Sequence, residues 1–321
     1  MPGHSRLARL LQLTWLLQLA AAAAWLAWRW PAAPAQAVAG ALLVLLIAPI
    51  ILGIELVIVA WVARSEPAVP RPSWAELARA WISESLHWYR TFCWRQPFRW
   101  RAVPDYLDAD CAGRQGVVLV HGFVCNRGFW SPWMEQLRTR AHPFAAVNLE
   151  PVFTTIDDYA RIIDEAVARV AAVSGRPPVV VCHSMGGLAV RAWWRAAPPT
   201  RKVAHIVTIG SPHGGTWLAR LSRRANGRQM QLRSAWLQEL ARNEAGRPLP
   251  PMTCWYSNCD NVVFPPSTAT LPHADNRFVP GQSHVALAFH PAVIAGSLEL
   301  LAEAPAARQG ESVTGMRAEI G

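Results

Sequence analysis

The sequence predicts an α/β fold, a mostly parallel sheet covered by helices on both faces, preceded by two transmembrane helices. Two long stretches near the N-terminus carry almost no charge. From about Gln115 onward, short apolar runs alternate with longer amphipathic segments, the pattern of a buried parallel sheet. Hydrophobic residues make up 52% of the 321 residues and charged residues 16%, against about 25% charged in an ordinary soluble domain. This composition excludes a disordered protein and favours a membrane protein.

Residues 1–65 predict a transmembrane hairpin. Residues 10–28 contain no charge, and residues 38–63 contain only Glu55. Each stretch can cross a hydrocarbon core of about 30 Å at about 1.5 Å per residue. In an antiparallel hairpin Glu55 falls near the depth of Gln12, and we expect it to hold the two helices together.

A secretory signal peptide is the alternative interpretation of the N-terminus. Arg6 and Arg9 would form its basic region, and residues 35–37 (Ala-Gln-Ala) its cleavage site. The first apolar stretch is longer than a signal core of about 7–15 residues, and a second stretch follows it. The hairpin is therefore favoured.

Residues 66–114 are predicted to be a proline-containing linker with an interfacial helix over 74–89, in which Asp105, Asp108 and Asp110 are solvated. Residues 115–305 form the predicted α/β domain, and residues 306–321 a flexible tail. The predicted buried strands cover residues 117–120, 145–149, 179–182, 204–209 and 252–256. The predicted helices cover residues 128–139, 157–173, 185–197 and 292–302.

The sharpest local signal is the run from Val179 to Gly187. An apolar strand leads into Cys-His-Ser-Met-Gly and then into a helical stretch, which is the setting of a nucleophile elbow centred on Ser184. Cys182 stands where the usual G-x-S-x-G motif has its first glycine, and a small side chain should still permit the turn. The simpler interpretation is a serine that caps a helix.

Three further motifs favour the elbow. Residues 121–123 (His-Gly-Phe) follow the first strand, where an oxyanion hole takes a second N–H, so Phe123 and Met185 would be the amide donors. Asp260 directly follows a later strand, and His284 lies on a late loop. The order Ser184, Asp260, His284 is the nucleophile, acid and base order of α/β hydrolases.

Other candidates for the acid and the base are weaker. Asp275 competes with Asp260, but it falls in the middle of a loop. His121 and His183 flank the two turns and are expected to be structural rather than to act as the base.

With residues 210–216 (Gly-Ser-Pro-His-Gly-Gly-Thr) and the run 260–265, these motifs make the segment 116–302 resemble an α/β hydrolase of the bacterial triacylglycerol lipase/esterase group. The resemblance implies an ester hydrolase with Ser184 as nucleophile, His284 as base and Asp260 as acid, acting on lipid or other ester substrates without a cofactor. Cys182 and the hydrophobic hairpin depart from the secreted lipases of this group.

Two alternatives to hydrolysis stay open. An acyltransferase would use the same triad with an alcohol as acceptor, and a degenerate hydrolase domain would serve as a membrane binding module. No metal site is expected, because the six cysteines show no paired C-x-x-C spacing. The sequence carries no signal for an oligomeric state.

The basic excess indicates lipid rather than nucleic acid. Arginine and lysine exceed aspartate and glutamate by ten, and Lys202 is the only lysine. No basic run interleaved with aromatic residues is present, as nucleic-acid binding would require.

The arginines next to the two spans also predict the orientation. Five flank the outer ends of the spans and one lies in the link; they are Arg6, Arg9, Arg64, Arg71 and Arg79 against Arg29. By the positive-inside rule, a bacterial inner membrane protein with two spans and a cytoplasmic α/β domain is predicted.

Residues 216–250 are predicted to form a cationic cap or lid. Seven arginines stand there against Glu239 and Glu244, with apolar residues interleaved and Gly227 expected as the break between two short helices. The simpler interpretation is an ordinary cap with solvated arginines. The functional interpretation is a lid that rests on the anionic leaflet.

Overall fold

The computed structural model describes residues 5–66, 68–244 and 246–303. The helices are α1 (Arg6–Arg29), α2 (Pro34–Leu45), α3 (Ile47–Val62), α4 (Trp74–Trp88), α5 (Gln96–Phe98), α6 (Ser131–Thr139), α7 (Ala160–Ser174), α8 (Met185–Ala196), α9 (Ala225–Gln229), α10 (Ala235–Glu244), α11 (His284–Ala288) and α12 (Pro291–Glu303). A π-helix, Tyr89–Arg95, joins α4 to α5. The tail predicted at 306–321 lies outside the described residues.

In the described residues the sheet has six parallel strands in the order β2-β1-β3-β4-β5-β6. The strands are β1 (Val117–Val120), β2 (Phe144–Ala146), β3 (Val179–His183), β4 (His205–Ile209), β5 (Met252–Tyr256) and β6 (Asp275–Phe278). Valines dominate β1 and β3, which are buried along their whole length, as central parallel strands require.

Two hydrophobic cores cover the two faces of the sheet. Alternate side chains of the strands pack on one face against α7, α8 and the cap helix α10. The other strand residues pack against α6, α11 and α12. The prediction of a parallel sheet with helices on both faces is confirmed.

The sheet departs from the predicted strands at its two edges. The strand predicted at 145–149 is observed at Phe144–Ala146, where it ends three residues earlier than predicted. Asp275 opens the edge strand β6, whereas the sequence placed it in a loop. Because β6 is polar in composition, it has no apolar run from which a strand could be predicted.

Within the described part of the chain, three helical stretches are long and apolar enough to cross a membrane, judged by length and composition: Arg6–Arg29, Ile47–Ser65 and His284–Ala302. The third contributes Val285, Leu287 and Val293 to a core of the α/β domain. We therefore assign it to that domain rather than to a membrane segment.

The second predicted span, 38–63, is not one continuous helix. It divides at Leu46 into α2 and α3, because Pro49 has no N–H to donate to the carbonyl of Leu45. The hydroxyl of Tyr89 donates to that carbonyl at 2.6 Å instead. The π-helix therefore packs at the break.

The expectation that Glu55 holds the two hairpin helices together is wrong. Glu55 accepts a hydrogen bond from the amide of Asn261 in the α/β domain, at 2.7 Å. Gln12 donates to the carbonyl of Pro97 at 2.6 Å. Glu55 and Gln12 thus each bond to residues outside the hairpin, whereas Gln18 donates to the carbonyl of Val44 within it at 2.8 Å.

The segment predicted as a linker is packed against the α/β domain. Its helix at 74–89 is confirmed as α4, with Ser73 and Glu76 forming a capping box. The expectation that Asp105 is solvated is wrong, because it binds the buried Arg127 at 2.6 Å.

The cap contains α9 and α10, but the break between them is not at Gly227. Gly227 lies inside α9, and the chain turns at residues 230–234. A Cβ at Gly227 would approach the Ser222 hydroxyl at 1.9 Å, so a close contact rather than a break explains this glycine.

Candidate active site

Ser184 stands on a sharp turn between β3 and α8. Its backbone has φ 54° and ψ −131°, a region that costs a non-glycine residue about 1–3 kcal/mol. The turn brings Gly186 against β1, where a Cβ would lie 2.6 Å from the carbonyl oxygen of Val120. Glycine is therefore required two residues after the serine, as the elbow motif predicts.

The loop after β1 lies directly against this serine. A Cβ on Gly122 would be 2.7 Å from the Cβ of Ser184. His121 fixes the loop with both ring nitrogens: Nδ1–H donates to the Gly122 carbonyl at 2.9 Å, and Nε2 accepts from the amide of Leu149 at 3.0 Å. The loop that carries Phe123 is thereby held beside the serine.

Met185 is the first residue of α8. Its N–H has no acceptor within the helix, as is general for the first turn. The two amides predicted to line an oxyanion hole, those of Phe123 and Met185, thus belong to segments that flank Ser184 on either side.

Asp260 and His284 are brought together by two loops at the same end of the sheet. His284 Nδ1 lies 2.9 Å from Asp260 Oδ2, and both side chains are buried. The other oxygen of Asp260 accepts the amides of Val262 and Val263 at 2.9 and 2.7 Å. Since the carboxylate binds Nδ1–H, Nε2 of the imidazole is left as the proton acceptor.

The loop after β5 also holds the backbone that leads into His284. Ser257 Oγ accepts from the Gln282 amide at 2.9 Å, and Asn261 Oδ1 accepts from the His284 amide at 3.2 Å. Asn258 adds a bond from the Gly281 amide at 2.8 Å.

His183 connects the histidine loop to the serine turn. It immediately precedes Ser184, its Nε2–H donates to the carbonyl of His284 at 3.2 Å, and the two rings lie 4.5 Å apart. The pKa of His183 is lowered well below the ordinary value, first by burial and then by the charge of His284. A neutral His183 is therefore a spacer between the two predicted catalytic groups.

The pKa of His284 is raised above the ordinary imidazole value. Burial lowers it, but the charge of Asp260 and the hydrogen bond from Nδ1, assisted by Glu84 and Glu55, outweigh the burial. By contrast, burial lowers the pKa of His121 to about 4. The four buried histidines therefore separate into His284, which has a carboxylate partner, and His121, His183 and His213, whose pKa values are lowered first by burial.

Asp275 does not contact His284. It lies on β6, half exposed, and pairs with Arg277 at 2.6 Å. Among the described residues, no group of three or more histidine, cysteine or acidic side chains could hold a metal ion.

A serine on a strained strand-to-helix turn, with a histidine and aspartate on later loops of a parallel sheet, agrees with a family match over residues 117–308, described as Alpha/beta hydrolase family. The chain belongs to the α/β-hydrolase family. The predicted α/β-hydrolase fold, a parallel sheet with helices, is thereby confirmed.

Solved structures of other proteins share the fold of this α/β hydrolase. It is similar to a lipase of Bacillus licheniformis, BlEst2, with 16% identity and a TM-score of 0.53 over 59% of this chain and 92% of that one. It is also similar to lipase B of Aspergillus fumigatus, with 19% identity and a TM-score of 0.56 over 64% of this chain and 57% of that one. No curated protein matches the sequence significantly.

Several residues of the site were not predicted from the sequence. Ser257, Asn258 and Asn261 surround Asp260 in the run Ser-Asn-Cys-Asp-Asn, and this polar run directly after an apolar strand was the available signal. Glu84 accepts the amides of Val285 and Ala286 from a helix about 200 residues away. No local pattern could have predicted that contact.

Proposed function

We propose that the protein is a membrane-anchored serine hydrolase that cleaves carboxylic esters, with lipids as substrates. The observation that carries this proposal is the serine on a strained turn beside a buried histidine–aspartate pair. The solved structures with this fold that are named lipases support the substrate class.

In this mechanism Ser184 attacks the ester carbonyl while His284 Nε2 takes its proton. Asp260 fixes the imidazole tautomer and stabilises the imidazolium. The amides of Phe123 and Met185 hold the tetrahedral oxyanion, and the loss of one such donor typically costs about 3–4 kcal/mol. The imidazolium then protonates the leaving alcohol, and water activated by His284 hydrolyses the acyl-enzyme, releasing a fatty acid.

Exposed apolar surface supports membrane attachment. The 24 residues of α1 rise about 36 Å, enough to cross a core of about 30 Å. Large hydrophobic side chains on its surface and on α3 and α4 are exposed, including Leu17, Ile54 and Trp74. Exposed large apolar side chains in such number on these helices favour contact with lipid.

The triad is tested by replacing the nucleophile. Ser184→Ala in the full chain should lower hydrolysis of a short p-nitrophenyl ester by at least about 10⁴-fold, with the thermal unfolding temperature unchanged. Retained turnover in the folded variant would contradict the proposal.

A further inference from the structure

Glu84 is a buried carboxylate on α4, outside the segment 117–308 that matches the family. Its side chain is 1% exposed. Both oxygens accept the amide of Val285, at 3.0 and 3.1 Å, and one also accepts the amide of Ala286 at 3.1 Å. These amides follow His284 directly, so the carboxylate holds the first turn of the helix that begins at the predicted base.

Glu55 makes a second connection of the same kind. It lies on the apolar helix α3, and its Oε2 accepts from the side-chain amide of Asn261 at 2.7 Å. Asn261 follows Asp260 in the chain, and its Oδ1 accepts the amide of His284 at 3.2 Å. A hydrogen-bonded chain therefore runs from the hairpin through Asn261 to the backbone of the base.

An apolar contact supports both connections. Leu56 of α3, Leu77 and Ala80 of α4, and Cys259 of the loop before Asp260 form one buried cluster. The two helices thus contact the acid-bearing loop by packing as well as by hydrogen bonds.

Simple helix packing does not account for two carboxylates in this position. Burying a carboxylate costs free energy that its hydrogen bonds must offset, and an apolar residue would pack α4 at no such cost. Glu84 holds the backbone just after His284 directly, and Glu55 holds the amide of His284 through Asn261. Positioning of the predicted base is therefore the role that the two carboxylates share.

We propose that Glu84 and Glu55 are positioning residues for His284, so that the N-terminal helices form part of the catalytic centre instead of serving only as an anchor. This proposal rests on the proposed function, because it assigns His284 as the base.

The two carboxylates also act on His284 electrostatically. The groups that face its imidazole are Asp260 from the loop after β5, Glu84 from α4, Glu55 from α3, and the neutral His183 from β3. Burial raises the pKa of Glu84, while the hydrogen bonds from the amides of Val285 and Ala286 favour its charged form. When Glu84 is charged, removal of that charge lowers the pKa of His284. The base then stays unprotonated to lower pH, and the acid limb of a pH profile moves in the same direction.

The test uses the full chain in detergent micelles and the rate constant for labelling of Ser184 by a fluorophosphonate as a function of pH. Glu84→Gln should lower the plateau rate by at least about tenfold, since a misplaced reacting group loses up to about 100-fold, and should move the acid limb to lower pH. Glu84→Asp keeps the charge, so its acid limb should stay near that of the unchanged protein.

The Glu55 connection has its own pair of variants. Glu55→Leu removes the acceptor of Asn261 and should lower the plateau rate by about tenfold. Glu55→Gln can still accept that hydrogen bond and should restore most of the rate. Glu165→Gln is the matched control, because Glu165 is exposed on α7 and pairs only with Arg161; its rate and acid limb should not change.

The outcomes separate the two proposals. If Ser184 of the unchanged protein is labelled, but folded Glu84→Gln keeps its rate and its acid limb, the positioning role is wrong while the hydrolase assignment stands. If Glu84→Gln does not fold, Glu84→Asp and the Glu55 pair decide the matter. If Ser184 of the unchanged protein is not labelled at all, both proposals fail.

Discussion

At the scale of single residues, the proposed mechanism makes the Asp260–His284 pair the group that determines the pH at which ester hydrolysis begins. The base works only when unprotonated, so activity rises as the pH passes the pKa of His284. Because that pKa is raised, the acid limb of kcat/KM should have its midpoint above the ordinary imidazole value of about 6.5. The measurement is ester hydrolysis across pH in the full chain.

The matched variant is Asp260→Asn, which removes the charge that raises this pKa. Its acid limb should move to lower pH and its kcat should fall by about 10⁴-fold, as expected when the imidazole tautomer is no longer fixed. An unmoved limb in the variant would show that Asp260 is not the partner of the base.

Gly186 gives a prediction on stability. A Cβ there would lie 2.6 Å from the Val120 carbonyl and 2.7 Å from that of His121, and backbone atoms cannot move away cheaply. Gly186→Ala should therefore lower the free energy of unfolding by about 1–3 kcal/mol, measured by chemical denaturation. Gly246→Ala, where the nearest atom is 3.7 Å away, is the control and should lose little.

Candidate site residues could be predicted from the sequence where the neighbouring residues form a recognisable motif. Ser184 follows from a strand, a tight turn and a required glycine, and Asp260 from its place at the end of a strand. Glu84 and Glu55 could not be predicted, because their partners lie about 200 residues away in the chain. Their carboxylates are explained only by the packing of α3 and α4 on the histidine loop.

At the scale of secondary structure, two arginines of the cap lie over the rings of aromatic residues near the site. Arg224 lies 5.0 Å from the ring of Phe153, which packs edge-on against Phe123 at 5.8 Å. Arg220 lies 4.8 Å from the ring of Trp217. The cap therefore extends from the acid-bearing loop to the predicted oxyanion loop, and its arginines other than Arg247 are exposed.

The cap should bind anionic lipid through these arginines. Replacing Arg220, Arg223 and Arg224 by Gln should lower activity on anionic vesicles by about tenfold or more, since each arginine near such a surface contributes about 1 kcal/mol. Activity on a soluble short-chain ester should change little. The loss should shrink as salt is raised, because salt screens the attraction.

A matched triple variant tests whether charge alone explains the loss. Arg114, Arg140 and Arg161 are exposed and lie outside the cap, so their replacement by Gln removes the same charge elsewhere. Equal loss on vesicles in both triple variants would show that the cap has no special contact with lipid, and equal loss on both substrates would indicate a damaged cap.

The spacing of apolar residues predicted the helices and strands that are amphipathic or apolar in sequence. It did not predict features that depend on contacts with other parts of the fold. The long helices and central strands follow from apolar spacing. The break at Leu46 depends on Pro49 and on Tyr89, which donates to the freed carbonyl of Leu45. Strand β6 is held by pairing with β5 despite its polar sequence, so its existence depends on the sheet rather than on its own residues.

At the scale of the whole molecule, the arginine distribution predicts that the α/β domain is cytoplasmic. All six cysteines are free and buried, so labelling needs introduced cysteines at exposed positions. In intact spheroplasts, an impermeant thiol reagent should label Ala32→Cys in the link between α1 and α2. It should not label Thr200→Cys in the α/β domain until the cells are opened. The reverse pattern would contradict this orientation.

The central claim, that Ser184 is the nucleophile of a serine hydrolase, is tested most directly by mapping a covalent adduct. Full-length protein is treated with a fluorophosphonate, digested and analysed by mass spectrometry while ester hydrolysis is followed. We predict one adduct on Ser184, with activity lost in proportion to labelling and no adduct in Ser184→Ala. Labelling of another serine with loss of activity, or full activity in Ser184→Ala, would contradict the account.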